Sequence, residues 1–176
     1  MSSGRYNKLA GQIGEYLVCA ELGRRGFIAT PFSGNVPTFD VLATDLLCHT
    51  VPIQVKASRG DSWPSRADRW MKIEYDATAK KQIYSGPAKL AVPELVWVCV
   101  AIASPGGQDR FFVLTEADVQ NVCVTGYTSW MEKIGWKRPK NPTSLDCRWA
   151  ISDIEQFEDQ WELIARRLST AEIGFE

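Results

Sequence analysis

A continuous apolar run at residues 95–102 is the feature that most restricts the fold of this chain. Its β-branched residues favour a strand, and the lack of polar alternation means that both faces of this strand must be covered. The run also falls well short of the roughly 20 residues that a membrane-spanning helix needs. The sequence therefore predicts a soluble protein with a central strand that has other elements packed on both sides.

Apolar spacing elsewhere in the chain predicts the elements around that strand. Helical spacing of Ile13, Tyr16, Leu17 and Ala20 predicts a first helix over about residues 6–25. Strands are expected at residues 27–30, 39–43, 51–57 and 110–114, and further helices at residues 116–123 and 154–168. This order predicts an α/β (α+β) fold in which a mixed sheet is flanked by helices.

Other segments lack a clear period. Residues 33–37 and 137–144 have the turn-forming composition of loops. Residues 58–79 have the composition of an ordered but irregular surface segment, and a short helix is expected at residues 77–84.

The size and charge of the chain limit its class of function. With 176 residues it has the size of one domain, with a core over about residues 5–115 and a C-terminal elaboration over about residues 116–176. Its 20 Lys and Arg residues against 21 Asp and Glu residues give a net charge of -1. The whole molecule therefore does not attract polyanions, and any nucleic-acid surface must be a local patch.

The cysteines and the histidine exclude several kinds of site. The five cysteines are odd in number and have no metal-clip spacing, so we expect reduced thiols in an intracellular, cytoplasmic protein. The first residues contain no apolar run of signal-peptide length, which favours the same location. His49 is the only histidine, which argues against histidine-built zinc sites and against triads with a histidine base. Carboxylate chemistry remains.

Polar side chains lie within two neighbouring predicted strands whose other positions are apolar. Asp40, Gln54 and Lys56 occupy these polar positions. If the strands form an antiparallel pair, the predicted register places Asp40 opposite Val55, between Gln54 and Lys56. Side chains at such positions lie within about 5–8 Å of one another. The sequence therefore predicts that two oxygen-bearing side chains and one cation converge on one side of the sheet.

The first predicted helix supplies a fourth polar residue. Glu15 lies at helical spacing with Gly11, Val18, Cys19 and Leu22, on a largely apolar face. Burying a carboxylate without a partner is unfavourable, so we expect a metal ion or a lysine beside it.

These residue types suit the hydrolysis of a phosphodiester bond. Mg²⁺ prefers oxygen ligands, polarises a phosphoryl oxygen and acidifies a bound water, and we expect Mn²⁺ to substitute for it. Glu15, Asp40 and Gln54 are the predicted ligands, and Lys56 is predicted to position the nucleophile or to steady the developing charge. The alternative is a structural cluster of ion pairs in which Glu15, Asp40 and Lys56 have no part in chemistry.

Four short segments in this order resemble a known family: GQIGE at residues 11–15, RRGF at 24–27, PTFDVL at 37–42 and IQVK at 53–56. They resemble the PD-(D/E)XK restriction-endonuclease-like superfamily. Within it they are similar to archaeal Holliday-junction resolvases and to homing endonucleases of the same fold. The resemblance covers about the first third of the chain. It implies an αβββαβ core, Mg²⁺-dependent hydrolysis, and a site at Glu15, Asp40, Gln54 and Lys56.

Two positions depart from the pattern of that superfamily. Phe39 stands where the family name has a proline beside the aspartate, with Pro37 nearby. Gln54 replaces the usual acid, which removes one negative charge from the predicted metal site. Two hypotheses follow: a metal-dependent DNA endonuclease, and a nuclease-fold protein of weak activity that binds nucleic acid or a protein partner. Because cutting two strands commonly takes two sites, the first hypothesis also predicts a homodimer.

Basic residues near these segments are candidates for binding nucleic acid. One group follows the Lys56 strand, and a second lies where aromatic residues and cations alternate at residues 130–140. The candidates are Arg59, Arg66, Arg69, Lys72, Lys137 and Arg138. The alternative interpretation is that the first group are ordinary surface charges and that the second belongs to a loop anchored on the core.

Overall fold

The computed structural model describes residues 3–32 and 38–170, with side chains from residue 8 onwards. Its helices are Ser3–Arg24 (α1), Ala67–Trp70 (α2), Glu116–Lys133 (α3) and Glu162–Thr170 (α4). Its strands are Ile28–Pro31 (β1), Val41–Thr44 (β2), Thr50–Ser58 (β3), Ser62–Arg66 (β4), Met71–Asp76 (β5), Lys81–Pro87 (β6), Val96–Ala101 (β7), Arg110–Thr115 (β8) and Asp146–Ala150 (β9). The predicted loop at residues 33–37 lies outside the described residues.

The main sheet has the strand order β1-β2-β3-β7-β8 and is mixed, because β3 and β7 are parallel while the other neighbours are antiparallel. Val96 to Val100 of β7 are buried, as the apolar run predicts for a strand covered on both faces. One face packs against α1 and α4, and the other packs against α2, α3, β4 and β9. The predicted fold class, a mixed sheet flanked by helices, is confirmed.

A glycine brings α1 close to the sheet. An added Cβ at Gly14 would lie only 2.4 Å from the Cβ of Ala57 and 3.4 Å from a methyl of Val55. The helix therefore rests directly on β3, with Val18 and Leu22 fully buried beneath it. This close approach places Glu15, the next residue, over the same strand.

The interpretation of residues 58–79 as an irregular surface segment is wrong, because this stretch contains β4, α2 and the whole of β5. Trp63 and Trp70 are fully buried and pack against Trp149 and Trp97. Polar residues flank both tryptophans in the sequence, so the local pattern does not indicate that they are buried. Their burial depends on partners that are distant in the chain.

The predicted helix at residues 77–84 is a β-turn followed by β6. The carboxylate of Asp76 accepts hydrogen bonds from the backbone N–H groups of Thr78 and Ala79, at 2.8 and 2.9 Å. Lys80 then takes a left-handed conformation with φ 51°. An aspartate that binds the following backbone in this way stabilises a turn at the expense of a helix.

The two later helices start or end away from their predicted limits. Thr115 caps α3, and Asp118 completes the capping box, but the helix continues past residue 123 because Tyr127 and Met131 also face the core. The predicted helix at residues 154–168 begins only at Glu162, after 3₁₀ turns and a left-handed Asp159. The described part of the chain has no helix both long and apolar enough to cross a membrane.

Candidate active site

Asp40 and Gln54 meet where β2 begins. The observed register pairs Val41 with Ile53, so Asp40 lies opposite Gln54 and the predicted pairing with Val55 is wrong by one position. The cause is the turn between β2 and β3, where the carboxylate of Asp45 accepts backbone hydrogen bonds at 2.9 and 3.0 Å. Opposite residues of an antiparallel pair share a face, so this register brings Asp40 and Gln54 together.

The carboxylate of Asp40 binds the edge of β3. One oxygen, Oδ2, accepts the backbone N–H of Val55 at 2.8 Å and a hydrogen bond from the Gln54 side-chain amide. The Asp40 backbone N–H also donates to the carbonyl of Ile53 at 2.9 Å. Burial raises the pKa of Asp40, and the Val55 hydrogen bond and the charge of Lys56 oppose this shift. Asp40 is thus held in a fixed position and is poorly solvated.

Glu15 approaches the same place from α1. Burial raises the pKa of Glu15, and the nearby negative charge of Asp40 raises it further. Among the described residues, Glu15 forms neither an ion pair nor a side-chain hydrogen bond. A partly buried carboxylate whose ionisation a neighbouring carboxylate disfavours is an arrangement that a cation stabilises.

Lys56 lies on the face opposite α1. It is paired in register with Cys99 of β7, just as Gln54 is paired with Trp97, and both of these partners belong to the core beneath α2 and α3. Burial lowers the pKa of Lys56, and the charge of Arg69 lowers it further.

The ion pairs found in the described part of the chain involve none of Glu15, Asp40 and Lys56. Direct ion pairing therefore does not hold this cluster together.

The donor set fits a small, hard cation in part. Glu15 and Asp40 supply carboxylate oxygens, and Gln54 supplies an amide oxygen once its amide nitrogen no longer donates to Asp40. Within the described ranges, no cluster of three histidine, cysteine, aspartate or glutamate side chains is present that could hold a metal ion. Any cation here would depend on two carboxylates and on a neutral third ligand.

Lys56 lines two neighbouring clefts. The first, of about 470 Å³, is also lined by Arg66 and Arg69, and the second, of about 330 Å³, by Arg59. The sequence predicts that Glu15, Asp40, Gln54 and Lys56 line one pocket. Of these four residues, only Lys56 lines the two clefts. Asp40 and Gln54 lie at the start of β2, on the same face of the sheet as Lys56, and the 330 Å³ cleft is also lined by Ala10 and Gly11 of α1.

The basic residues of the first group differ in how tightly they are held. Arg69 lies 4.8 Å from the ring centroids of both Trp70 and Trp97 and 3.3 Å from the Glu116 carboxylate. Arg66 forms a two-pronged pair with Asp68, at 2.7 and 3.0 Å. Arg69 is therefore fixed against the core beside Lys56, whereas Arg66 is a surface residue with its own counter-ion.

The second group divides between surface and structure. Lys137 is exposed, as is Lys72 of the first group. Arg138 donates to the carbonyls of Ser144 and Asp146, at 2.5 and 3.1 Å. These contacts favour the core-anchored interpretation for Arg138.

Strand β9 brings further residues to this region that the sequence analysis did not identify. β9 pairs with β4 so that Arg148 lies opposite Pro64 and Cys147 opposite Ser65. Pro64 and Ser65 in turn line the clefts beside Lys56. The alternation of Cys147 and Trp149 with polar neighbours was the available signal for this strand.

No protein-family model matches this chain, and no curated protein matches it. Among solved structures, a bacterial homing endonuclease is similar with a TM-score of 0.43 and 14% identity, over 92% of this chain and 95% of the other. A Holliday junction resolvase from the archaeal hyperthermophile Archaeoglobus fulgidus is similar with a TM-score of 0.43 and 15% identity, over 88% of this chain and 95% of the other.

Proposed function

We propose that this chain is a divalent-metal-dependent nuclease that hydrolyses a phosphodiester bond in DNA. The observation that carries the proposal is the position of Asp40, whose carboxylate binds the Val55 N–H on the face of the sheet that carries Lys56, with Glu15 of α1 near enough for its pKa to be raised by the Asp40 charge. Lys56 itself lines clefts that contain arginines. Carboxylates that hold a cation and a lysine beside a basic cleft are the parts that phosphodiester hydrolysis needs.

Glu15, Asp40 and the amide oxygen of Gln54 would hold Mg²⁺ or Mn²⁺. When bound, such an ion supplies a polarised phosphoryl oxygen and a more acidic water. Lys56 positions the attacking water or stabilises the charge that develops on phosphate.

Arg59 and Arg69 are placed to hold the phosphate backbone beside Lys56. Arg69 lines the 470 Å³ cleft and Arg59 lines the 330 Å³ cleft, and Lys56 lines both. The stacking of Arg69 on two indole rings keeps its guanidinium in one position. An arginine held in advance binds phosphate with less loss of side-chain freedom.

Hydrolysis by one site cuts one strand, so double-strand cleavage calls for a homodimer. Light scattering with and without DNA tests for this homodimer.

A second candidate function is nucleic-acid binding without hydrolysis. The hydrogen bond from the Gln54 amide to Asp40 favours it, because this bond satisfies the carboxylate without a cation. Gln54 also contributes no negative charge, which lowers the affinity of the site for a divalent ion.

The test is a cleavage panel of plasmid, linear duplex, branched and single-stranded DNA with Mg²⁺ and with Mn²⁺. We expect Lys56→Ala to reduce the rate by about 10²- to 10⁴-fold while DNA affinity and folding change little. Lys133→Ala, at an exposed lysine of α3, is the matched control and should cleave like the wild type.

Gln54→Glu separates the two candidate functions. The added carboxylate strengthens binding of a hard cation, so this variant should bind Mg²⁺ at least as well and should keep or gain activity. Gln54→Met, which removes the amide at similar volume, is its control. Absence of cleavage by both the wild type and Gln54→Glu with either metal would reject the nuclease in favour of the binding protein.

A further inference from the structure

A separate cavity of about 450 Å³ lies between α3 and the two-stranded sheet formed by β4 and β9. It adjoins the clefts of Lys56, because Ser65 also lines the 470 Å³ cleft and Pro64 also lines the 330 Å³ cleft. The cavity and the two clefts therefore lie next to one another along β4. Its wall includes Tyr127, Trp130, Arg138, Asp146, Cys147 and Arg148.

One wall of the cavity combines aromatic rings with a guanidinium group. The Arg138 guanidinium lies 4.9 Å from the ring centroid of Trp130, which is 39% exposed. Tyr127 packs edge-on against Trp130, with ring centroids 6.0 Å apart. Nucleobases stack on aromatic rings and on arginine planes alike.

Hydrogen bonds hold this wall in place before any ligand binds. Arg138 is fixed by the carbonyls of Ser144 and Asp146, and the Tyr127 hydroxyl donates to the buried Gln82 amide oxygen at 2.6 Å. The Gln82 amide nitrogen in turn donates to the carbonyls of Pro142 and Ser144, at 2.9 Å each. A wall fixed in this way loses little conformational entropy when a base packs on it.

The cavity also offers a positive charge for a phosphate. Arg148 is exposed, and no ion pair of Arg148 occurs in the part of the chain that the structure describes. The volume lies in the usual range for small-ligand sites, roughly 300–1,000 Å³. Such a space admits one nucleotide that has left the base stack and excludes a paired duplex.

We infer that this cavity binds one unstacked nucleotide of the nucleic-acid strand whose neighbouring phosphates lie at Lys56. The base packs against Trp130 and Arg138, and its phosphate lies near Arg148. The preferred substrate is then DNA with an unpaired nucleotide beside the scissile bond. This inference rests on the proposed function for its nucleic-acid partner, but it does not require hydrolysis.

The first test measures affinity in EDTA, where no metal-dependent cleavage occurs. The probes are a fluorescent duplex with one unpaired nucleotide and the same duplex fully paired. We expect wild type to prefer the unpaired probe by about 10-fold, and Trp130→Ala to abolish that preference. Tyr75→Ala is the matched control, because Tyr75 is similarly exposed, at 38%, and lines none of the three cavities described here. An unchanged preference in Trp130→Ala would overturn the inference.

The second test uses the wild-type protein and does not depend on how the variant folds. Cys147 lines the cavity, whereas Cys48 is exposed in the turn between β2 and β3. Cys147 is partly buried at the cavity wall, so a ligand in the cavity covers its thiol and slows its reaction with iodoacetamide. We expect the unpaired probe at saturation to slow alkylation of Cys147 by at least about 5-fold and to leave Cys48 unchanged, as read by mass spectrometry.

Further arms of the alkylation experiment identify the ligand and separate this inference from the proposed function. Protection by the unpaired probe but not by free AMP supports a nucleotide within a strand, and equal protection by AMP at its own saturation supports a free mononucleotide site. Equal rates at Cys147 with and without bound probe would overturn the inference while leaving any observed cleavage intact. Conversely, protection without cleavage in Mg²⁺ keeps the inference and rejects the nuclease.

Discussion

The folded protein disfavours the charged form of Lys56, and this charge is what the proposed stabilisation of phosphate requires. Burial lowers its pKa, and the nearby charge of Arg69 lowers it further, while the charge of Asp40 opposes both effects. The folded protein therefore disfavours the charged form of Lys56 relative to water. Ionisable groups whose pKa is shifted by burial and by a neighbouring charge are often found at functional sites.

Replacing Lys56 with methionine should stabilise the protein. Because the folded protein lowers the pKa of Lys56, its charged form destabilises the fold below that pKa, and this loss disappears as pH rises towards the value of free lysine, about 10.4. We expect Lys56→Met to unfold at higher urea than wild type at pH 7, with a smaller difference at pH 10. Lys133→Met is the exposed control, and a pH-independent difference for Lys56→Met would contradict the electrostatic cause.

Arg69 should control the titration of Lys56. Its positive charge disfavours the ammonium form of Lys56, so Arg69→Met should raise the pKa of Lys56 and Arg69→Lys should leave it lower. Arg66→Met is the matched control, since Arg66 lies in the same cleft but is paired with Asp68. NMR titration of lysine labelled with ¹³C at Cε measures the change. Equal shifts for Arg66→Met and Arg69→Met would rule out a specific role for Arg69.

Among the elements, the contact between α1 and β3 positions the site. Gly14 lets the helix backbone approach Ala57, and this approach carries Glu15 towards Asp40. The turn between β2 and β3 sets the register that pairs Asp40 with Gln54. One carboxylate thus depends on helix packing and the other on strand register.

Gly14→Ala should displace α1, because the new methyl group would overlap the Cβ of Ala57. We expect a loss of about 1–3 kcal/mol in the free energy of unfolding, and weaker Mg²⁺ binding because Glu15 moves with the helix. Gly11→Ala is the control in the same helix. An added Cβ there meets nothing within 4 Å, so it should stabilise the protein by about 0.5–1 kcal/mol through helix propensity. Restoration of stability by Gly14→Ala combined with Ala57→Gly would identify the clash as the cause.

In the whole molecule, the sheet separates two cores, and the proposed site lies at the start of β2. Glu15 reaches this point from the α1 face, and Lys56 occupies the opposite face. The net charge of -1 leaves no general attraction to DNA, so the DNA binding that we propose would depend on the local group of Arg59, Arg69 and Arg148. Affinity should therefore fall with salt in proportion to these few contacts.

Mg²⁺ should stabilise the protein in a manner that depends on pH. A ligand that binds only the folded state at 100 times its Kd adds about 2.7 kcal/mol. Because the pKa values of Glu15 and Asp40 are raised, protons should displace the ion at a higher pH than for ordinary carboxylates. We expect Mg²⁺ to raise the melting temperature at pH 7.5, with the gain shrinking as pH falls through these raised values. The same gain in Asp40→Asn would locate the ion elsewhere.

Local patterns in the sequence were sufficient for the elements whose partners lie nearby or whose burial is uniform. The apolar run of β7, the alternation in β3, the Thr115 cap and the glycine stop after α1 each act over a few residues, and the structure confirms them. The same patterns put Asp40, Gln54 and Lys56 on one side of the sheet, and the helical face of Glu15 beside them. The catalytic and metal-binding roles of these four residues stay predictions.

Only the tertiary structure decided the features that depend on distant partners. Trp63 is buried because it packs against Trp149, and Trp70 is buried because it packs against Trp97. Segment β4 forms a strand because β9 pairs with it. The register of Asp40 depended on how the Asp45 carboxylate closes a turn. The cavity between α3 and β9 likewise has walls from segments far apart in the chain. The physical reason is that backbone preference acts between neighbours, whereas burial and charge depend on which surfaces the folded chain brings into contact.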